Sequence, residues 1–388
     1  MIKRTIETKI KDALLKYPIV TLTGPRQSGK TTLLKTVFNQ YQYISLENPD
    51  IKDYAENDPR GFLSEFNNHI IFDEIQRCPH LFSYLQQVTD DRREPGQFIL
   101  SGSQNFLLMD SISQSLAGRI AIFKLLPFSI EELKQNDIKP DLNTILINGL
   151  YPPIYDRGHT PSEWYQDYIE TYLEKDIRQI KNIHNLSLFR KFLSLLALRN
   201  GQVLNATNIA EDCGISPNTI RDWISILETS YIIHQSTPYS TQESKRLIKS
   251  PKIFFYDPGL LAYLLGITPN NLMTMTQKGS LFESLILSEC AKYHYNLKKR
   301  FNPLFYRDRN NHEIDLMFST NITQILIELK SSSTISQEFF KNFDYVTQRL
   351  EKPSKTIVIY GGDTHQNRSA AEIYPWNHTF KLLEDLGI

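Results

Sequence analysis

The sequence has few cysteines and no net charge, and each of these features excludes a class of protein. Its 388 residues include three cysteines, Cys78, Cys213 and Cys290, which lie far apart and form no Cys-x-x-Cys or Cys/His metal-binding spacing. We therefore expect reduced, buried thiols rather than a disulfide framework or a zinc module. Because 43 Lys and Arg residues balance 43 Asp and Glu residues, overall charge indicates neither a nucleic-acid nor a membrane partner.

Long apolar runs are also missing. No stretch approaches the roughly 20 apolar residues of a membrane-spanning helix, and the opening run MIKRTIETKIKDALLKYP lacks the apolar core of a signal peptide. We therefore expect a cytoplasmic protein without a membrane partner. Since 388 residues exceed what one hydrophobic core usually serves, several domains are expected.

The chain does contain a phosphate-binding loop in its expected context. The run GPRQSGKT matches the pattern GxxxxGK[ST] and lies between a β-rich run, PIVTLTG, and a helical pattern, TTLLKTVFNQ. Backbone N–H groups of such a loop, at the positive end of a helix, hold phosphate oxygens. Lys30 should contact the β- and γ-phosphates of ATP, and Thr31 should bind Mg2+. The predicted nucleotide-binding residues are Gly24, Pro25, Arg26, Gln27, Ser28, Gly29, Lys30, Thr31 and Thr32.

Two further strand patterns end in polar residues. The apolar run HIIFDE ends in Asp73 and Glu74, and such a buried strand can deliver Asp73 to the Mg2+ shell and Glu74 to the attacking water as a general base. The run QFILSGSQ ends at Ser103 and Gln104, either of which could sense the γ-phosphate. Together with the loop, these residues predict an ATP-hydrolysing site.

Arg119, in the run SLAGR, is a candidate arginine finger. An arginine aimed at the transferring phosphate can raise the rate by roughly 10³–10⁵. It could act on its own site or on that of a neighbouring subunit, and the alternative is an ordinary surface or interdomain ion pair.

The runs GPRQSGKTTL, IIFDEIQ, FILSGSQ, SLAGRI and LLPFSIEEL together resemble a prokaryotic family of AAA-type ATPases that carry a C-terminal extension related to restriction nucleases. The resemblance covers essentially the whole chain. It implies an ATPase core in which Lys30, Thr31, Asp73, Glu74 and Ser103 have the roles argued above.

The middle of the chain has a different character. Residues 160–200 have the pattern of long helices with interleaved charges, which suits a helical lid over the nucleotide. Residues 206–228 have a helix-turn-helix pattern, with Ser216 as the N-cap of the second helix. If that helix enters a major groove, Asn218, Thr219 and Arg221 would face base edges or phosphates.

Basic residues follow the helix-turn-helix pattern. Lys245, Arg246 and Lys249 lie between the strand patterns SYIIHQ and KIFFY, which predicts a two-stranded wing and hence a winged helix. Such a module can bind DNA, and the alternative is a docking or oligomerisation module.

In the C-terminal region, acidic residues lie within two strand patterns. Alternation along ILIELK puts Glu328 and Lys330 on one face, and a hairpin with EIDLMF can place Asp315 beside them. Two carboxylates and a lysine at such positions suit one or two Mg2+ ions and an attacking water. The alternative is the solvated face of an edge hairpin.

This spacing resembles the core of the PD-(D/E)xK nuclease superfamily. The resemblance implies that Asp315 and Glu328 bind metal, that Lys330 supports the nucleophile or the charged phosphate, and that Glu283 assists from the preceding helix. The usual Pro before the first Asp is replaced by Ile314, which leaves nuclease activity open.

Two nearby basic runs are also candidates for a phosphate backbone. They are Lys298-Lys299-Arg300 and the pair Arg307 and Arg309. Ordinary solvated loops are the alternative for both.

The predicted fold class is a multidomain α/β protein, with a P-loop AAA-type parallel sheet, a helical lid, a winged helix and a small restriction-nuclease-like α/β domain. The predicted domains span residues 1–134, 135–199, 200–262 and 263–388. The predicted function is Mg2+-dependent ATP hydrolysis coupled to DNA binding, and metal-dependent DNA cleavage at a C-terminal Mg2+ or Mn2+ site is left open. The alternative is an ATP-dependent switch or remodeller that binds DNA or protein without cleavage, and a homo-oligomer is open in either case.

Overall fold

The computed structural model describes residues 2–103, 112, 115–173, 185–240 and 250–388. The predictions for Gln104 and for the basic residues Lys245, Arg246 and Lys249 lie outside these residues. Within them, no helix is long and apolar enough to cross a membrane.

The N-terminal part is built on a parallel sheet. Its strands are β1 (Ile19–Thr23), β2 (Gln42–Ser45), β3 (Ile70–Asp73), β4 (Phe98–Gly102) and β5 (Ile120–Lys124). They lie in the order β2-β3-β4-β1-β5, and every neighbouring pair is parallel. Because β1, β3 and β4 are adjacent, the loops that follow them meet at the carboxyl edge of the sheet. This arrangement confirms the predicted parallel α/β core.

Helices cover both faces of this sheet. They are α1 (Glu7–Leu14), α2 (Lys30–Val37), α3 (Pro49–Asn57), α4 (Pro59–Glu65) and α5 (Leu81–Arg92). The central strands are apolar throughout because they are buried on both sides: in β3, Ile70 and Phe72 pack into one apolar cluster and Ile71 into another. The sheet therefore forms a rigid platform for the residues at its edge.

A helical region follows the first sheet. Its helices are α6 (Ile130–Gln135), α7 (Leu142–Asn148), α8 (Pro152–Asp156), α9 (Pro161–Tyr168), α10 (Leu186–Leu198), α11 (Ala206–Cys213), α12 (Pro217–Thr229) and α13 (Pro258–Leu264). The turn between α11 and α12 passes through Gly214, whose φ of 72° suits a residue without a side chain.

The C-terminal part is a mixed sheet with helices. Its strands are β6 (Ile233–Pro238), β7 (Lys252–Phe255), β8 (Leu304–Arg307), β9 (Glu313–Ser319), β10 (Gln324–Lys330), β11 (Ser354–Tyr360), β12 (Gln366–Asn367) and β13 (Glu372–Pro375), and its helices are α14 (Lys278–Asn296), α15 (Phe343–Thr347) and α16 (Thr379–Leu386). The strand order is β12-β13-β11-β10-β9-β8-β6-β7. The antiparallel strands β6 and β7, where the wing was predicted, are therefore part of this sheet, because β6 also pairs with β8.

One buried apolar cluster joins the helical region to the second sheet. It includes Phe128, Phe192 on α10, Trp223 on α12 and Leu383 on α16. Ala262, at one predicted domain boundary, also belongs to this cluster, and the predicted boundaries stay predictions. The helix α14 lies at its centre, since it contacts α13, β7 and β10 and also the edge strand β5 of the first sheet.

Candidate functional site

The phosphate-binding loop begins where β1 ends. Gly24 has a φ of 150°, and a Cβ atom there would lie 2.1 Å from the main-chain oxygen of Leu125. Gly29 has a φ of 93° and is followed directly by Lys30, the first residue of α2. Both glycines are required by the path of the backbone, which wraps the loop around the start of the helix.

Lys30 is buried against this loop. Its Nζ atom donates hydrogen bonds to the main-chain oxygens of Gly24, at 2.9 Å, and Pro25, at 2.8 Å. The ammonium group therefore lies against the first residues of the loop. The Oγ atom of Ser28 is buried and has no hydrogen-bond partner among the described residues.

The Asp73 carboxylate lies at the end of β3 and is held by hydroxyl groups. Thr31 Oγ1 donates to Asp73 Oδ2 at 3.0 Å, so the two residues predicted to bind Mg2+ are in direct contact. Ser101 donates to the other carboxylate oxygen, and Tyr43 donates to Oδ2. Burial and the neighbouring carboxylate raise the pKa of Tyr43, so this hydroxyl keeps its proton.

Glu74 follows in a left-handed backbone conformation, with a φ of 55°. Its Oε2 atom accepts hydrogen bonds from Gln76 and, at 3.2 Å, from Ser103 Oγ. The predicted base and the predicted sensor are thus in contact. Gln76, Tyr43 and Ser101 were not predicted from the sequence, although Ser101 lies at the polar end of the strand pattern FILSGS.

Arg119 lies far from this site within the same chain. It precedes β5, and Ile120 pairs with Ile19 at the start of β1, so Arg119 is at the edge opposite the phosphate-binding loop. A strand of this length spans roughly 15 Å. Its guanidinium forms a two-pronged ion pair with Asp90, with Nε–Oδ1 at 2.5 Å and Nη2–Oδ2 at 2.9 Å. This position favours the ion-pair alternative over action on its own site; action on a neighbouring subunit remains a prediction.

The predicted DNA-contacting residues lie at the start of α12. Thr219 N donates to the N-cap Ser216 Oγ at 3.1 Å, and Arg221 Nη1 donates to Asn218 Oδ1 at 2.8 Å. Asn218 and Arg221 are exposed. In residues 206–229 Arg221 is accompanied by four acidic residues, Glu211, Asp212, Asp222 and Glu228. This charge does not favour a phosphate backbone, so the docking alternative stays open.

The C-terminal residues predicted from the strand patterns do come together; Glu283, Asp315, Glu328 and Lys330 are called the carboxylate cluster below. Lys330 Nζ lies 2.5 Å from Glu328 Oε2 and 3.4 Å from Asp315 Oδ2. Leu329 N donates to Asp315 Oδ2 at 2.8 Å. Among the residues that the structure describes, no group of three or more His, Cys, Asp or Glu side chains is arranged to hold a metal ion.

The charges of this cluster are unequal. Burial, reinforced by the charge of Asp315, raises the pKa of both Glu283 and Glu328 to about 8. Burial also acts to raise the pKa of Asp315, but Lys330 and Lys252 outweigh it and lower that pKa. Burial thus favours the protonated forms of Glu283 and Glu328, whereas the two lysines favour the ionised form of Asp315.

A buried arginine connects the phosphate-binding loop to the rest of the molecule. Arg4 Nη1 donates to the main-chain oxygen of Ser28 at 2.9 Å, and its Nε donates to Glu132 Oε2 at 3.1 Å. Glu132 also accepts from the N-cap Ser129 of α6, in a capping box. Arg4 was not predicted from the sequence, because nothing in its local pattern distinguishes it from a surface residue.

The connection continues into α14. Ile130 N, at the start of α6, donates to Glu289 Oε2 at 2.9 Å, and Glu289 pairs with Lys292 at 2.9 Å. Glu289 and Lys292 are buried, and they lie on the same helix as Glu283 of the carboxylate cluster. An unbroken series of contacts thus joins the loop to the helix that carries Glu283.

The comparisons with known families agree with this geometry. Residues 16–134 match a family model described as an AAA domain, and residues 139–271 and 278–378 match two domains of unknown function, DUF8612 and DUF4143. The parallel sheet, the phosphate-binding loop and the AAA match define a P-loop ATPase of the AAA type, followed by a second, mixed-sheet region. The model for residues 139–271 covers both the predicted lid and the predicted winged helix.

The chain is 31% identical over 367 residues to the uncharacterized protein Rv2008c of Mycobacterium tuberculosis, an alignment that covers 93% of this chain and 80% of that protein. It therefore belongs to the same family as this mycobacterial protein. An uncharacterized protein of Haemophilus influenzae is 23% identical over 283 residues, covering 64% of this chain and 69% of that protein.

Among solved structures, the Walker-type ATPase of Pyrococcus abyssi is 17% identical and covers 68% of this chain and 96% of its own. Its TM-score to this chain is 0.45.

Proposed function

We propose that the protein is a Mg2+-dependent ATPase that acts as a switch on its own C-terminal region. In this proposal the backbone N–H groups of residues 24–32 hold the phosphates of ATP. Lys30, which donates to carbonyl oxygens of the loop, would turn to the β- and γ-phosphates. The hydroxyl of Thr31 and the carboxylate of Asp73 are oxygen ligands of the kind that Mg2+ prefers, and Mg2+ held there would neutralise phosphate charge.

The observation that best supports ATP hydrolysis is the pair of hydrogen bonds that Glu74 accepts. Gln76 and Ser103 both donate to Oε2, which leaves Oε1 as the oxygen to accept a proton from water. These hydrogen bonds orient Glu74 as a general base. Because Ser103 contacts Glu74, it can couple binding of the γ-phosphate to the position of this base. Arg119, if it acts on ATP, would serve the site of a neighbouring subunit.

The test is ATP turnover by the full chain with Mg2+. Glu74→Gln should lower kcat by roughly 10²–10⁴-fold, since it removes the base, while nucleotide binding persists. Gln76→Ala should give a smaller loss of kcat with an unchanged KM. Glu65→Gln, an exposed carboxylate on α4, is the matched control. Equal turnover by wild type and Glu74→Gln would reject Glu74 as the base.

The switch is supported by the contacts of Arg4. A phosphate that enters the loop changes the surroundings of Ser28, and Arg4 links the Ser28 carbonyl to Glu132. The N-terminus of α6 in turn donates to Glu289 on α14. We infer that ATP binding and hydrolysis bias the position of α14 and hence of Glu283. A change of this kind needs an element with two arrangements, and α14 is our candidate.

Metal-dependent DNA cleavage at the carboxylate cluster is a second candidate. It is favoured by the Oε1 atom of Glu328, which is buried without a hydrogen-bond partner in the described part of the chain. The fit to a metal is nevertheless incomplete, because Lys330 Nζ lies between the two carboxylates. We therefore derive no metal-dependent step from this arrangement.

Plasmid cleavage with Mg2+ or Mn2+, with and without ATP, separates the two candidates. A nuclease should lose cleavage in Glu328→Gln and keep it in Glu338→Gln, an exposed control. If the wild type does not cleave DNA and Glu328→Gln still turns over ATP, the nuclease is rejected and the switch without DNA cleavage is supported.

A further inference from the structure

A cavity outside both sites is lined by basic side chains. It has a volume of about 430 Å³ and lies between the edge strand β5 and the turn that follows α14. Four basic residues line it: Lys124, Lys298, Lys299 and Arg300. No acidic side chain is among its lining residues. We call it the basic cavity.

Two cations of the basic cavity, Lys124 and Lys298, lie over aromatic rings. Lys124 is half-buried, with its Nζ 4.7 Å from the ring centre of Tyr295, and burial lowers its pKa. Lys298 lies 5.0 Å from the ring centre of Phe123, and partial burial lowers its pKa too. A ring fixes the position of an ammonium group but does not neutralise it.

Three of these cations lack acidic partners, which indicates an anionic ligand. In the described ranges of the chain, Lys124, Lys298 and Arg300 form no ion pair, whereas Lys299 already donates at 3.0 Å to an oxygen of Ile388, the last residue of the sequence. Cations gathered around a partly enclosed space repel one another and lose hydration, and a bound anion offsets both penalties. The cavity is therefore preorganised for negative charge.

The walls also suit a flat ring. Phe301 and Tyr295 line the same cavity, and the half-buried ring of Phe301 packs against His234, His294 and Tyr295 at centroid distances of 5.1, 5.4 and 5.9 Å. Positive charge beside aromatic side chains is the arrangement that binds single strands of nucleic acid, since phosphates contact the cations while unpaired bases stack on the rings. A duplex keeps its bases inside the helix and cannot use the rings in this way.

We propose that the basic cavity binds a segment of single-stranded nucleic acid. Lys124, Lys298 and Arg300 contact its phosphates, and a base packs against Phe301. The site shares no lining residue with the phosphate-binding loop or the carboxylate cluster. It therefore does not depend on whether the chain cleaves DNA.

The first test is binding of a short fluorescein-labelled oligothymidylate to the full chain, followed by anisotropy. The double variant Lys298→Gln, Arg300→Gln changes exposed side chains and should weaken binding at least tenfold. The slope of log affinity against log salt should fall by about 0.7 for each lost phosphate contact. Lys9→Gln, Lys11→Gln removes the same charge from the exposed face of α1 and should bind as wild type does. Equal affinity of the Lys298, Arg300 variant and the wild type would overturn the proposal.

The second test asks whether a base is bound as well as a phosphate. Phe301→Leu keeps every charge and should weaken oligothymidylate about fivefold or more while leaving competition by inorganic tripolyphosphate unchanged. An unchanged melting temperature checks that the variant is folded. If Phe301→Leu binds the oligonucleotide as wild type does, or if duplex DNA or polyglutamate competes as well as the single strand, the cavity is not a site for single strands.

Discussion

Asp73 and Glu74 are neighbours in the chain, but different side chains hold them. Hydroxyls of Thr31, Tyr43 and Ser101 surround Asp73, whereas Gln76 and Ser103 orient Glu74. The backbone at Glu74 is left-handed, which sets it apart from the extended backbone of the strand that ends at Asp73. Two adjacent acids can therefore serve a metal and a water separately, as the proposed mechanism requires.

His234 gives a residue-scale prediction about pH. Burial, aided by the charge of Lys124, lowers its pKa to about 4. Because the folded pKa lies below the unfolded value of about 6.5, the stability contributed by neutral His234 is complete above pH ~6.5 and is lost as pH falls toward 4. The loss amounts to at most about 3 kcal/mol for this group.

The measurement is urea unfolding between these pH values. His234→Gln should shrink the fall in unfolding free energy, since glutamine cannot become charged. The exposed His159→Gln is the control and should follow the wild-type curve. Identical pH profiles of the unfolding free energy for His234→Gln and the wild type would show that burial does not lower the pKa of this histidine.

At the scale of elements, the turn between α7 and α8 depends on a side chain more than 100 residues away. The buried Asp257 caps α13, accepts from Leu260 N at 2.9 Å, and also accepts from Leu150 N at 2.8 Å. Gly149 is required beside it, because a Cβ atom there would lie 2.2 Å from Asp257 Oδ1. One carboxylate thus joins two segments of the helical region.

Asp257→Ala should therefore destabilise the protein by roughly 2–4 kcal/mol, because it removes a cap and leaves buried N–H donors without acceptors. Asn205→Ala removes an exposed cap at the start of α11 and should cost only about 1 kcal/mol. Urea unfolding measures both. A loss for Asp257→Ala no larger than that for Asn205→Ala would contradict the bridging role.

The elements also show how much of the site could be predicted from the sequence. Residues 24–31, Asp73 and Glu74 belong to short motifs with strong local patterns, and the parallel sheet brings them together. Arg4 and Glu289 could not be predicted, because their partners lie 128 and 159 residues away along the chain. Arg119 is the opposite case. The motif that contains it is easy to recognise in the sequence, but the motif does not show at which edge of the sheet Arg119 lies.

At the scale of the whole molecule, α14 is the element that both halves share. It is buried along most of its length, contacts β5 of the first sheet and β10 of the second, and carries both Glu289 and Glu283. A helix placed in this way can move only if its neighbours on both sides adjust. This position makes it the candidate route between ATP and the C-terminal region.

The most direct test of this account is hydrogen exchange of the α14 amides in Glu74→Gln, which should bind ATP without turning it over. We predict that ATP with Mg2+ changes the amide exchange rates of residues 283–292. Adding Arg4→Lys should remove this change, because lysine keeps the positive charge but cannot donate hydrogen bonds to Ser28 and Glu132 at the same time. If ATP protects the phosphate-binding loop while α14 exchanges at the same rate with and without nucleotide, the proposed switch is contradicted.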